Sequence, residues 1–445
     1  MSEPVQPHLL DSRRAWLMLG VATVIYTVAI VHRTSFGVAG LVAADRFNAP
    51  ATIVSLFVVV QLLTYAFMQV PAGLLADRYG SRLVIGTGAL IMGLGQFSLA
   101  FAEAVPSAVV ARILIGAGDA MTFTCVVKMM PAWFSNKRVP LLVQSLTMVG
   151  QLGQILTAVP FAVFLRARGW TPAFTVLAVI GLFASTFAWT MLRNRADGQP
   201  IRTKVDDQPG FVHTVREVWR NPGTRLGFYL HALAGYPPLV FVMMWGYPFL
   251  EQGVGLNAAQ ISTLFSIMVI GGIVAGGVVG WLTPRHPLRL SNFSLTVAGI
   301  NTAALALVLV WPRPPYWVLV LWMLALSTCA SGSNIGLELA RTRNLTSRIG
   351  TATGVVIMGA FTFAVTSMWI VGLVLDLFGG YSMNAFRAAF ATEFVLLGLA
   401  LFGVYRTRPK VRAAMAAAGV IVPSWPDAIG ARLERRRQER GDQAG

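Results

Sequence analysis

Apolar residues run along this chain in long blocks, with the charged residues gathered in short intervals between them. Leu83–Ala102 and Val355–Val374 carry no charge over about twenty residues, the length that crosses the hydrocarbon core of a bilayer as a helix. Bounding such blocks by charge, proline or turn residues predicts twelve spans. Their limits are 15–43, 50–73, 82–102, 105–132, 139–165 and 170–192, then 224–250, 258–282, 290–311, 316–340, 351–376 and 386–405. In lipid every backbone donor needs a partner within the protein, so only helices or a closed barrel serve. Barrel strands would alternate polar and apolar positions. These blocks are uniformly apolar and rich in Gly and Ala, which predicts an all-α membrane protein of twelve transmembrane helices.

One long polar stretch interrupts the series. Arg193–Asn221 holds Gly198, Pro200, Asp206, Asp207 and Pro209, and a short amphipathic helix is predicted at Phe211–Trp219. Six spans lie on each side. The expected organisation is a cytoplasmic tail at 1–14, a six-helix bundle at 15–192, a cytoplasmic linker at 193–223, a second bundle at 224–405 and a basic cytoplasmic tail at 406–445. The first span, about 29 residues, is too long for the core of a signal peptide and shows no small-residue cleavage site, so an uncleaved anchor is expected.

Composition agrees with a membrane protein. Of 445 residues 56% are hydrophobic and 12% charged, with mean hydropathy +0.66. Soluble domains carry about 25% charged residues. The net charge of +17 would suggest nucleic acid in a soluble protein, but here it follows the rule that Lys and Arg collect on cytoplasmic flanks of spans. With the N-terminus inside, the inner connections hold Arg78, Arg82, Lys137, Arg138, Arg285, Arg289, Arg341, Arg343 and Arg348. The outer connections hold Arg46, Arg166, Arg168 and Arg313. Both termini are therefore expected in the cytoplasm, and no nucleic-acid partner is expected. Four lysines against thirty-one arginines suggest a high-GC bacterial genome, hence a bacterial plasma membrane.

Catalytic chemistry finds no support. The two cysteines, Cys125 and Cys329, sit inside apolar blocks, without metal-ligand spacing or a disulfide framework. Neither a Ser/His/Asp constellation nor a P-loop is present, so no enzyme activity, cofactor or metal is expected. The termini and linker are too short for a sensory domain.

The halves repeat one another. At an offset of 207, Gly73-Leu-Leu-Ala-Asp77-Arg78-Tyr-Gly80-Ser-Arg82 faces Gly280-Trp-Leu-Thr-Pro284-Arg285-His-Pro-Leu-Arg289, each copy between the second and third spans of its half. Internal repeats in polytopic proteins mark transporters whose halves rock about a central site. The first copy resembles the G-x-L-A-D-R-x-G-x-R loop of the major facilitator superfamily, and Arg112-x-x-x-Gly116-x-Gly118 is similar to its fourth-helix pattern. The resemblance extends over nearly the whole chain and implies two pseudo-symmetric six-helix bundles working by alternating access. It further implies that Asp77 and the loop arginines latch the halves when the cytoplasmic side is closed. The helix beginning near Gly350–Thr353 is the expected partner of Asp77. Gly73 permits close helix approach and Gly80 a tight turn, and an acid suits a helix N-terminus. Pro284 replaces the acid in the second copy, so a weaker latch is expected there. The gating loops thus comprise Gly73, Asp77, Arg78, Gly80, Arg82, Arg285 and Arg289.

Ionisable groups inside spans cost roughly 2.5–3.5 kcal/mol each at the helix centre and are functional by default. Six stand out: His32, Arg33, Arg112, Asp119, Lys128 and His231. The stretch around His32–Arg33 resembles the D-R-x-N-x-x-x-A segment of the anion:cation symporter branch, where the resemblance implies that the Arg meets the negative charge of the substrate. His32 and Ser35 depart from that pattern. Arg33 has three readings: anion anchor, permanent partner of Asp119, or outward snorkelling. Arg112, Gly116 and Asp119 share one helix face, and rise arithmetic puts Asp119 within about 7 Å of Arg33 in depth. Asp119 is the candidate for proton coupling, with a structural salt bridge as the alternative, and Arg112 is its candidate partner or an interface anchor. Lys128, near the inner end, is read as snorkelling.

In span 7, His231 precedes Tyr236-Pro237-Pro238, where two prolines are expected to break a gating helix. Gln144, Thr147, Gln151 and Gln154 form a polar stripe on span 5, and Ser327–Asn334 a pliable polar section of span 10. Gly272, Gly276 and Gly280 suit helix packing. Glu393 has no assigned role. Arg33, His32, Tyr26, Gln151, His231, Tyr236 and Asn334 are the candidate solute-binding residues. The function expected is proton-linked secondary transport of a small organic solute bearing a carboxylate, by a monomer in the lipid bilayer. Proton-driven efflux of drugs or amphipathic metabolites is the alternative; the Gly-Pro motif usual in span 5 of drug antiporters is absent, the segment reading Gly150-Gln-Leu-Gly153-Gln154.

Overall fold

A computed structural model describes residues 10–49, 51–196, 210–286 and 288–420. The expected basic tail beyond 420 lies outside the described residues, as does 197–209 of the linker. Among the described residues, twelve helices are long and apolar enough to cross a membrane.

The N-terminal half runs α1 (Arg13–Val38), α2 (Gly40–Phe47), α3 (Ala51–Tyr79), α4 (Ser81–Ala100), α5 (Val105–Met129), α6 (Val139–Leu156), α7 (Ala162–Arg168) and α8 (Trp170–Met191). Helix α9 (Phe211–Arg220) follows as the amphipathic connector. The C-terminal half holds α10 (Pro222–Val240), the single turn α11 (Gly246–Pro248), α12 (Ala258–Arg285), α13 (Leu290–Val310), α14 (Tyr316–Arg343), α15 (Ile349–Leu377), α16 (Met383–Ala391) and α17 (Glu393–Ala417). Local chemistry sets several of these ends. Ser12 and Ser382 accept backbone N–H groups at the starts of α1 and α16, and Asn257 with Gln260 forms a reciprocal capping box on α12. Asn221 caps α10, whose first residue is Pro222.

Helices and apolar blocks differ in extent. Helix α3 runs six residues past the predicted limit at 73, so Asp77 and Arg78 are helical, and the loop between the second and third spans shrinks to Gly80 at φ 87°. Likewise α12 carries Gly280–Arg285, and α17 continues to Ala417 rather than stopping at 405. Apolarity marks the lipid, whereas backbone hydrogen bonding continues into the polar zone. The predicted break at Pro237–Pro238 is also displaced. Helix α10 runs through both prolines, and wide π turns follow at Phe241–Trp245 and Phe249–Gly253. The N–H of Phe241 donates to the carbonyls of Pro237 and Pro238, and the helix widens immediately after them. Pro160 sits in a similar π turn, Thr157–Phe161, linking α6 to α7.

Within the N-terminal half α4 packs on α5 and α8, and α3 on α5; within the C-terminal half α10 packs on α14, α15 and α17. The halves join through α3 against α15, and α6 against α12 and α14. One buried apolar cluster crosses that joint: Val70, Ala72 and Ala76 of α3 belong with Ala352 and Val355–Ile357 of α15 and Leu337 and Ala340 of α14. At the other end of the N-terminal half the cluster around Phe36, Phe57, Leu99 and Trp170 contains residues of that half only. Large apolar side chains such as Phe67, Phe183 and Trp369 stand exposed on the outside, as a lipid-facing surface requires.

Candidate solute pathway and gate

The joint between halves is concentrated at the end that carries the α3–α4 turn. Gly73 of α3 lies so close to α15 that a Cβ there would sit 2.2 Å from the carbonyl oxygen of Gly350. Only glycine permits that approach. It brings the Asp77 carboxylate onto the start of α15. The N–H of Gly350 donates to Oδ1 at 2.9 Å, the N–H of Thr351 to Oδ2 at 2.7 Å, and the Thr351 hydroxyl to Oδ2 at 2.6 Å. Lys128 Nζ completes the cluster at 2.8 Å from Oδ1 and also donates to the Ala76 carbonyl. A buried carboxylate thus meets a helix N-terminus and a cation together, each stabilising its charge.

The other motif residues act differently. Arg82 turns back into its own half, its Nε donating to the Trp189 carbonyl at 2.8 Å. Arg78 and Arg289 are half-buried beside their turns. Arg285 lies 3.9 Å over the Trp281 ring and donates to the Trp281 carbonyl at 3.0 Å, again within its own half. On the α6 side, among the described residues, hydrogen bonds rather than ion pairs join the halves. Gln144 donates to the Ser331 carbonyl at 2.8 Å and accepts from Asn334 at 3.1 Å. Arg341, paired with Glu338 one turn before it, donates to Asn136 at 2.7 Å. The connector also takes part, through an ion pair between Glu217 of α9 and Arg348, just before α15. That contact holds the Glu217 carboxyl below its ordinary range.

Moving away from the gate, Tyr65 of α3 packs on Phe361 of α15, ring centroids 4.7 Å apart. Directly beside this contact the Arg33 guanidinium lies 4.6 Å from the Tyr65 ring centre. Arg33 makes a two-point ion pair with Asp119, Nε to Oδ2 at 2.5 Å and Nη2 to Oδ1 at 2.8 Å. The Arg33 side chain keeps 16% of its surface exposed while Asp119 keeps 1%. The cation, only partly covered, thus adjoins the Tyr65–Phe361 contact between the halves, and the acid lies behind it.

The remaining candidates are dispersed. Tyr26 packs on Phe123, centroids 5.3 Å apart, and against Gly150 of α6. His32 is fully buried, its ring against Gly181 of α8 and its carbonyl bonded to Gln96, so it lies off the face of Arg33. Arg112 is not joined to Asp119; its Nε donates to the Phe57 carbonyl at 3.3 Å and its guanidinium stacks 4.6 Å from the Phe36 ring centre. His231 is tied to the Ser333 carbonyl at 2.9 Å, and Tyr236 donates to the Glu393 carbonyl at 3.2 Å, both within the C-terminal half. Asn334 belongs to the joint with Gln144. The backbone of Gln151 is helical, and its side chain lies outside the described residues. The expected partner of Asp77, the helix start at Gly350–Thr353, is the one observed, whereas Lys128 as a further partner of Asp77 and Tyr65 as the ring under Arg33 were missed. For Lys128 a signal existed, since it lies on the fourth span at the same depth as Asp77. No periodicity singles out Tyr65.

Among the described residues, twelve candidate spans in two halves that meet at one closed end are the architecture of an integral membrane protein. A family model described as Major Facilitator Superfamily matches residues 17–361, and the chain belongs to that family. It is an integral, multi-pass membrane protein. It is 23% identical over 65% of its length to a probable sulfoacetate transporter of Cupriavidus necator, covering 70% of that protein. It is 27% identical over 66% of its length to a probable L-galactonate transporter of Escherichia coli, covering 68% of that protein. Among solved structures, a bacterial homolog of the human lysosomal transporter Spinster, inward-facing and unoccupied, matches with TM-score 0.56 at 16% identity, over 89% of this chain and 98% of that one. That likeness speaks to the fold alone.

Proposed function

We propose that the protein is a proton-linked transporter of a small organic anion, working by alternating access of two six-helix halves in a bacterial plasma membrane, as a monomer with both termini cytoplasmic. The distribution of Lys and Arg makes the end with the α3–α4 turn cytoplasmic. On that orientation the joint between Asp77 and the start of α15 closes the cytoplasmic end.

The observation that carries the reading is the Arg33–Asp119 pair beside the Tyr65–Phe361 contact between the halves. Arg33 and Asp119 together are neutral. An anionic solute that takes the exposed guanidinium by a two-point bond, which suits a carboxylate or sulfonate, leaves Asp119 as an uncompensated buried charge. Burying such a charge costs several kcal/mol or more. A proton on Asp119 removes it, so closure over the loaded site favours one proton per negative charge. The names of the two relatives, both transporters of organic acid anions, support the same class.

Counterflow into proteoliposomes tests the proposal. Sulfoacetate, galactonate and simple monocarboxylates would be offered as labelled solutes. One organic acid is expected to exchange, with at least about a tenfold loss in Arg33→Ala, equivalent to about 1.4 kcal/mol. Extrusion of cationic dyes with no acid moved would overturn it.

A further inference from the structure

The C-terminal half contains a second buried carboxyl group that the Arg33–Asp119 site does not use. Glu393 opens α17 and keeps 5% of its surface exposed. Its Oε1 accepts from the Ser367 hydroxyl of α15, and its Oε2 is buried without a hydrogen-bond partner. Among the described residues no cation forms an ion pair with it. Among the described residues, the neighbouring elements bring no positive charge into contact with it. Tyr236 of α10 donates to the Glu393 carbonyl, and Cys329 of α14 donates to the Val297 carbonyl. His231 is bonded to the Ser333 carbonyl, and Arg387 of α16 gives its Nε to the Leu309 carbonyl at 2.7 Å. Asp376 stands exposed at the far end of α15, and α13 carries no ionisable residue. An ionised carboxylate here would be an uncompensated charge in the membrane interior, where neutralisation is the cheaper state.

The position of this group bears on a deformable segment. Tyr236 precedes the two prolines and the π turns of span 7, and Trp245, at the end of the first π turn, donates to the carbonyl of Met368 at 3.0 Å. Met368 is the residue after Ser367. The two points that hold the irregular part of span 7 therefore flank the Ser367–Glu393 contact, one on α17 and one on α15.

We propose that Glu393 is a second proton-binding site, occupied in this conformation, and that its proton keeps the irregular segment of span 7 docked on α15 and α17. Loss of the proton to water leaves a carboxylate that must be hydrated, and water reaches it only when α10, α15 and α17 separate around it. Deprotonation therefore loosens residues 241–253.

Two readouts test this on full-length protein in lipid, neither needing a solute. Infrared spectra of the Asp119→Asn background are expected to show a protonated-acid carbonyl band at neutral pH. That band disappears in Glu393→Gln and shifts to higher frequency in Ser367→Ala, which loses the donor but keeps the acid. Hydrogen exchange of residues 241–253, corrected for its intrinsic pH dependence, is expected to quicken about tenfold from about pH 6 to about pH 9 in the parent. It stays flat in Glu393→Gln. An unchanged acid band in Glu393→Gln, or the same pH dependence of exchange in both proteins, would overturn the proposal. Either failure leaves the Arg33–Asp119 reading untouched, because both readouts are made without it.

Discussion

The carboxylate of Asp77 accepts the N–H groups of Gly350 and Thr351 at 2.9 and 2.7 Å, joining the end of α3 to the start of α15 across more than half the sequence. That contact depends on Gly73 lying against Gly350, and it is where the two halves are most tightly bound.

Replacing Gly73 by Ala places a methyl group 2.2 Å from a backbone oxygen that has no freedom to move alone. Helices α3 and α15 must separate, and the closed state at this end loses its carboxylate bonds. Spin labels at Tyr79 and Leu345 are expected to report longer distances, with transport down at least about tenfold. Unchanged distances would show that the close approach is not required.

Asp77→Asn keeps the shape of the side chain and removes the charge seen by the α15 N-terminus and by Lys128. Hydrogen bonds to a charged group are worth about 1.5–3 kcal/mol, so the closed population at this end should fall about tenfold or more. Lys128→Met should shift it in the same direction by less, since the two N–H donors and the Thr351 hydroxyl remain. Cysteine labelling of the cytoplasmic end of α15 measures both. Equal effects would mean that Lys128, not the helix N-terminus, holds the acid.

On the α6 side hydrogen bonds rather than ion pairs join the halves, and Pro284 stands where the first copy has its acid. Gln144→Ala removes bonds to Ser331 and Asn334, a loss of about 1–2 kcal/mol. It is expected to open the same end less than Asp77→Asn does in the same labelling assay. An equal or larger opening would contradict the inequality of the two sides.

Glu217 and Arg348 link the connector to the gate, and the guanidinium holds the Glu217 carboxyl below its ordinary value of 4.5. A depressed acid contributes stability above that value and loses it as pH falls through the lower folded value. Thermal stability of the wild type relative to Glu217→Gln should thus be slightly higher at neutral pH, with the difference vanishing in acid below 4.5. Because the pair is largely exposed, the effect is small. A difference that grows in acid would reverse the sign.

Much of the fold was legible because lipid imposes one simple rule: a block without charge must be a helix. The same rule misplaced helix ends. Asp77 and Arg78 are charged yet helical, since a helix needs only its own backbone to continue past the lipid, and one-residue turns such as Gly80 then suffice. Proline chemistry was legible in kind but not in place: the helix runs through Pro237–Pro238 and turns wide only at Phe241–Trp245. Depth arithmetic brought Arg33 and Asp119 to one level, and the structure pairs them. Arg112 shares a helix face with Asp119 but stacks on Phe36, because helix face alone does not say which neighbour lies closer. Tyr65 beneath Arg33, and the seating of Glu393 on Ser367, arise from side chains far apart in the chain, and no spacing rule announces such meetings.

The central claim is that Asp119 carries the proton that accompanies an anion held by Arg33. Solute accumulation in proteoliposomes under an imposed pH gradient, compared between wild type and Asp119→Asn, tests it most directly. The account predicts that Asp119→Asn still exchanges the solute across the membrane but no longer accumulates it when the gradient is applied. Full gradient-driven accumulation by Asp119→Asn would contradict it.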